Sequence, residues 1–162
     1  MTLHDDLREY LASMAGAMKQ LRGDRTPYTG LEDFVLREGI DMHLTATKPK
    51  GRKGTPKACF SNAARKVIGN GAFSYAEGFM LSPDLPIAIH HAWCVTPEGT
   101  VVDPTLGWRE GAAYRGVVFS HDELMQRILK SGYYGVFIDA GIVLSDLVLG
   151  LDKEFPYKGK AA

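Results

Sequence analysis

The chain has 162 residues, with 19 Lys plus Arg against 19 Asp plus Glu, so no bulk field draws it to nucleic acid or to an anionic membrane. That length suits a single domain able to bury a core without staples, and two cysteines make no disulfide framework of the kind small secreted domains use. Asp5 and Asp6 stand where a signal peptide carries basic residues, and the apolar run 140–151 is interrupted and too short for a bilayer, so the expectation is a cytoplasmic protein without membrane association.

Leu3, Leu7, Tyr10, Leu11, Met14, Met18 and Leu21 recur at helical spacing and predict an amphipathic helix over residues 3–21, ending near Gly23. A second helix is expected within residues 31–43, where Leu31, Phe34, Val35 and Met42 can share one face, although Gly39 weakens its continuity. Residues 48–57 are rich in Gly, Pro and positive charge and read as an exposed loop. Solvation alone accounts for such a loop; the functional alternative is a basic lip that attracts an acidic substrate or partner through Lys50, Arg52 and Lys53.

A helix is predicted from Cys59 to about Ile68, stopped by Gly69-Asn70-Gly71. Strands follow over residues 73–81, 87–95 and 100–103, the last two joined through Pro97-Glu98-Gly99. A short strand is expected around residues 117–119. Ser120-His121-Asp122-Glu123 then has the form of a capping box ahead of a helix carrying Leu124, Met125, Ile128 and Leu129. A further strand over residues 132–138 and a final helix over residues 142–151 complete an α+β chain, with an N-terminal helical part to about residue 46 and a core over about 57–138.

The chemistry centres on Cys59, which stands where a helix begins. A thiolate there is stabilised by free backbone N–H groups and the positive end of the dipole, and a nearby imidazole can hold or take its proton. His91 and Asp103 follow. If Pro97-Glu98-Gly99 is a three-residue hairpin loop, Thr96 faces Thr100 and Trp93 faces Asp103, which puts His91 and Asp103 on one face as diagonal neighbours. A one-residue slip would give Asp103 to His90 and Cys94 instead. Trp93 would shield the imidazole and carboxylate from water, or serve only as a core aromatic. Glu77, just before Gly78 in its strand, is expected to face water or to support the loop or helix near Cys59.

The order of Cys59, the run Tyr75-Ala76-Glu77-Gly78, His91-Ala92-Trp93 and Asp103-Pro104-Thr105 resembles the core of the transglutaminase-like superfamily of papain-like thiol enzymes. The resemblance extends from Cys59 to about Thr105. It implies a nucleophile helix packed on a small antiparallel sheet, Cys59 as nucleophile, His91 as base and Asp103 as its orienting carboxylate, with the Cys59 N–H as first oxyanion donor. The second donor is left between the basic loop and Asn62. No Gln precedes Cys59 in the manner of papain-type proteases. The implied activity is a thiol-dependent amide hydrolase or acyltransferase, whether protease, amidase, deamidase or cross-linking enzyme, acting on a peptide, protein or other amide without a cofactor. Taken alone, Cys59 also reads as a small buried core thiol. Two alternatives compete with the enzyme reading: a non-catalytic binding or assembly module whose Cys59-His91-Asp103 set is vestigial, and a metal site built from Cys59, His91 and Cys94, which lacks a paired short-range motif and a fourth ligand.

Overall fold

The computed structural model describes residues 2–22, 28–48 and 53–138. The expected C-terminal helix at 142–151 lies outside the described residues, as do Lys50 and Arg52 of the basic loop. Chain order runs α1 (Leu3–Arg22), α2 (Leu31–Glu38), β1 (Ile40–Met42), α3 (Cys59–Gly69), β2 (Ser74–Leu81), β3 (Ile89–Val95), β4 (Val101–Val102), β5 (Ala113–Phe119) and α4 (His121–Ser131). The strands form one curled antiparallel sheet in the order β1-β5-β2-β3-β4. The architecture is α+β, as the alternation of helical and strand periodicity implied.

Side chains alternate across the sheet and feed two cores. Tyr75, Phe79, Ala92, Cys94, Val117 and Phe119 pack beneath the helices, against Leu7 and Leu11 of α1, Phe34 and Val35 of α2, Ala63, Ala64 and Val67 of α3, and Leu124 of α4. The opposite face gathers Met42, Ala76, Met80, Trp93, Val95, Tyr114 and Val118. Helix α4 begins in the capping box read from the sequence: Ser120 accepts from the Glu123 amide, and Glu123 reaches back to the Ser120 amide at 2.7 Å. No helix among the described residues is long and apolar enough to cross a membrane.

Two expectations are corrected. The helix expected within 31–43 ends at Glu38, because Gly39 turns extended at φ −74° and ψ 155° and its amide closes on the Val35 carbonyl at 2.9 Å. A Cβ on Gly39 would sit 2.4 Å from that carbonyl oxygen, so the chain turns there only with glycine. Residues Ile40–Met42 then pair with β5, and Met42 is buried from a strand, not from a helix face. Residues 132–138 form no strand. Both edges of β2 are already occupied by β3 and β5, and the amides of Phe137 and Ile138 bond instead to the Glu77 carboxylate.

Strand β5 is longer than its apolar tail suggested, and its Gly116 lies directly under the indole of Trp93: an added Cβ would come within 2.8 Å of Trp93 Cη2 and 2.3 Å of the Glu77 carbonyl oxygen. Gly116→Ala is therefore expected to destabilise the fold by ~1–3 kcal/mol, the range for overpacking a close-packed interior, as read from chemical denaturation. An unchanged midpoint would mean that the sheet relaxes freely at this point.

Candidate active site

The approach to α3 is a tight turn. Ala58 N–H bonds the Thr55 carbonyl at 3.3 Å, with Pro56 at the second position and Lys57 at the third with φ 62°. Pro favours that second position, while positive φ at the third normally calls for Gly, so Lys57 holds backbone strain of the order of 1 kcal/mol next to the site. The helix it delivers is uncapped. Ala58 supplies no side-chain acceptor and the first turn carries no acid, in contrast to the fully capped α4. The first helical bond of α3 runs from Asn62 N–H to Ala58, which leaves the amides of Cys59, Phe60 and Ser61 outside the helix's own ladder. The positive end of α3 is open, and Cys59 stands in it.

The other half of the site comes from the β3–β4 hairpin. Thr96 N–H bonds Thr100 O at 2.9 Å across the three-residue loop, Gly99 takes φ 81°, and Cys94 pairs with Val102. This is the register predicted from the loop length. Hydrogen-bonded pairs alternate along an antiparallel ladder, so the next such pair would be Ala92 with Pro104. It does not form: β4 stops at Val102, Asp103 Oδ1 accepts from the Thr105 and Leu106 amides at 2.8 and 2.9 Å, and Pro104 turns its carbonyl to Gly54 N–H at 2.7 Å. The Ala92 amide is left on the sheet edge, where it and the Phe60 amide face the Cys59 sulfur and favour its anionic form.

The imidazole of His91 is buried, with Nε2 donating to Asp103 Oδ2 at 2.7 Å and the ring also hydrogen-bonded to Cys59. With Nε2 committed, Nδ1 is the nitrogen that serves the thiol. Burial pushes the Cys59 thiol up, but the His91 hydrogen bond and charge, with the Ala92 and Phe60 amides, bring it below its ordinary value. Burial likewise disfavours a charged His91; bonds and charges from Asp103 and Cys59 outweigh it and raise the imidazole to about 9. Asp103, despite burial, is held below the usual carboxylate range by His91 and the two turn amides. The arrangement favours a thiolate–imidazolium pair.

The remaining candidates sort by position. Trp93 is fully buried and lies nearly parallel to His91 with ring centroids 6.3 Å apart. His90 faces the opposite side, its ring against Phe60 and Phe79 at 5.1 and 5.6 Å. Cys94 shares that opposite side, donates to Ala63 O at 3.5 Å and is pushed up to about 12 by burial, so it cannot join His91 around a metal. Asn62 is fully engaged: Oδ1 accepts from Thr55 N–H at 3.2 Å, and Nδ2 donates to Thr55 O at 2.8 Å and Thr105 Oγ1 at 2.9 Å. Its amide ties α3 to the turn that carries Asp103, with both Nδ2 hydrogens engaged.

Glu77 does not face water. It is fully buried and accepts from the Tyr75 hydroxyl at 2.5 Å and from the amides of Phe137 and Ile138 at 2.8 and 2.9 Å, fastening the segment after α4 across the start of α3. Gly135 in that segment presses on Phe60, since a Cβ there would fall 2.5 Å from the Phe60 Cβ. Burial pushes the Glu77 carboxyl up to about 7, against the pull of these donors. Sequence reasoning missed Tyr114, whose hydroxyl donates to Asp103 Oδ2 at 3.1 Å. Only the full length of β5 puts that residue opposite the carboxylate. No protein-family model matches the chain, and comparison with curated proteins and with solved structures finds no match.

Two outcomes follow from this geometry. Glu77→Gln turns an amide NH₂ toward a ring of donors and is expected to cost about 3 kcal/mol in thermal or denaturant unfolding, with earlier proteolytic nicking after Ser131; a wild-type melt would contradict it. For pH dependence, His91 is raised, so its stabilisation is complete below its unfolded value near 6.5 and is lost as pH climbs toward 9. Cys59 is lowered and acts with the opposite sign as pH rises. In Cys59→Ala the loss between pH 6.5 and 9 should therefore emerge unopposed, and in Cys59→Ala/His91→Phe that part should vanish, leaving the loss at higher pH that the raised Cys94 and tyrosines bring; equal slopes in the two variants below pH 9 would contradict the buried His91–Asp103 pair as its source.

Proposed function

We propose that the protein is a thiol-dependent amide hydrolase or acyltransferase of transglutaminase-like type, working through an acyl-enzyme on Cys59. One observation carries this reading: a half-buried thiol at an uncapped helix start shares an imidazole with a buried carboxylate, in the order nucleophile, ring, orienting acid.

In this mechanism the Cys59 thiolate attacks the amide carbonyl carbon, forming the S–C bond while the carbonyl electrons move to oxygen. The Cys59 amide, free of the helix ladder, donates to that oxyanion. Collapse of the tetrahedral adduct breaks the C–N bond, and His91 gives its Nδ1 proton to the departing amine. Neutral His91 then takes a proton from water or from an acceptor amine, which attacks the thioester and releases Cys59. Asp103 keeps Nε2 protonated throughout, so that Nδ1 always faces the reaction. The Ala92 and Phe60 amides hold the sulfur in its anionic form before attack.

An acidic partner at the basic lip remains part of this proposal. Lys53 lies along Gly107, and Gly54 is bonded to Pro104, so this wall adjoins the turn carrying Asp103. The test of the activity is capture of peptides from cell extract with an electrophilic thiol probe in competition, followed by mass identification of the acyl group on Cys59. Cys59→Ala should abolish the adduct. Asp103→Asn should reduce turnover on a captured substrate by about 10²-fold or more while the fold survives, and His90→Ala should retain most activity. An adduct on Cys94, or a dead His90→Ala beside an active His91→Ala, would overturn the assignment.

A further inference from the structure

We propose that Tyr114 is a positioning residue of the Cys59–His91–Asp103 set, its hydroxyl sharing Asp103 Oδ2 with the imidazole and thereby restraining how firmly His91 holds its second proton. This rests on the reading of those residues as a thiol active site. Tyr114 is fully buried in β5, paired with Met42 on one side and Met80 on the other, and its ring meets Trp93 edge-on at 5.1 Å. Its hydroxyl donates at 3.1 Å to the oxygen that receives His91 Nε2–H at 2.7 Å, while the Thr105 and Leu106 amides occupy Oδ1. Imidazole and phenol thus compete for one carboxylate oxygen.

Each donor on a carboxylate spreads its charge and lowers its affinity for another proton. A carboxylate turned on the ring alone would stabilise the imidazolium further, and acyl transfer needs both ring states: the cation to protonate the departing amine, the neutral ring to deprotonate the incoming nucleophile. The phenol holds the ring between them. Among the described residues the ionisable groups bearing on the set are Cys59 from α3, Tyr75 from β2, Arg109 in the loop before β5, and Cys94 on the other face of β3. Burial and the Asp103 charge keep Tyr114 protonated in spite of Arg109, so it acts as a neutral O–H donor.

The test follows the His91 ring by nuclear magnetic resonance of isotope-labelled histidine through a pH titration of the whole chain, with the pH profile of Cys59 alkylation by iodoacetamide beside it. Tyr114→Phe is expected to raise the His91 pKa and to move the acid limb of alkylation to lower pH, each by on the order of half a pH unit, or about three-fold in the equilibrium. A ring-fluorinated tyrosine at position 114 keeps the volume and strengthens the donor, so it should shift His91 the other way even if the phenylalanine variant folds poorly. In an Asp103→Asn background Tyr114→Phe should shift nothing. Identical titrations in wild type and both Tyr114 variants, or shifts of the reverse sign, would overturn the proposal. An ordinary thiol profile for wild-type Cys59 would instead bring down the active-site reading itself.

Discussion

The buried hydrogen bond from His91 to Asp103 is the contact on which the site depends, and it exists because β4 stops after Val102. Had the strand run on, Asp103 would be a ladder residue and Ala92 would be paired with Pro104. Ending the strand achieves two things at once. The carboxylate is turned back onto the Thr105 and Leu106 amides, which aim its second oxygen at His91, and the Ala92 amide is exposed at the sheet edge where the start of α3 can meet it. The sulfur therefore faces an amide that a longer β4 would have paired. Proline at position 104, with no amide to give, makes the ending permanent.

The support around this edge is built in layers. Asn62 ties α3 to the Asp103 turn and to the loop before the helix, which sets the distance between thiol and imidazole from both sides. Trp93, seated over Gly116 and flanked by Tyr114, stacks beside His91, and the Asp103 side chain is closed to solvent, so its charge acts on His91 with little screening. Glu77 secures the segment after α4 against Phe60 from the opposite face. The chain spends a buried carboxylate on each side of the sheet, one to orient a ring and one to hold backbone, and each is met by a full set of donors. Val136 adopts φ 60°, a strained angle for a β-branched residue, between Gly135 against Phe60 and the Phe137 amide on Glu77.

Much of this was legible in the residues because it depends on local rules. Alternation and the three-residue loop sufficed to put His91 and Asp103 on one face and His90 on the other, and local signals placed Cys59 at a helix start and a capping box at Ser120. What escaped the sequence depends on pairing between distant strands. Tyr114 belongs to the site only because β5 lies between β1 and β2, with Tyr114 aligned to Met42 and Met80. Glu77 read as a strand charge facing water or supporting the loop or helix near Cys59; beside the nearby Tyr75 hydroxyl, its partners are backbone amides some sixty positions onward, which carry no side-chain signature. Met42 misled for a related reason: its apolar spacing fits a helix face, yet Gly39 breaks the helix and a strand edge claims the residue.

The thiolate state proposed for Cys59 is read from its ultraviolet absorbance, taken as the difference between wild type and Cys59→Ala across pH. The expected inflection lies below the value near 8.5 of an unperturbed thiol and is abolished or moved up in His91→Ala. An inflection at or above that value, unaffected by removing His91, would contradict it.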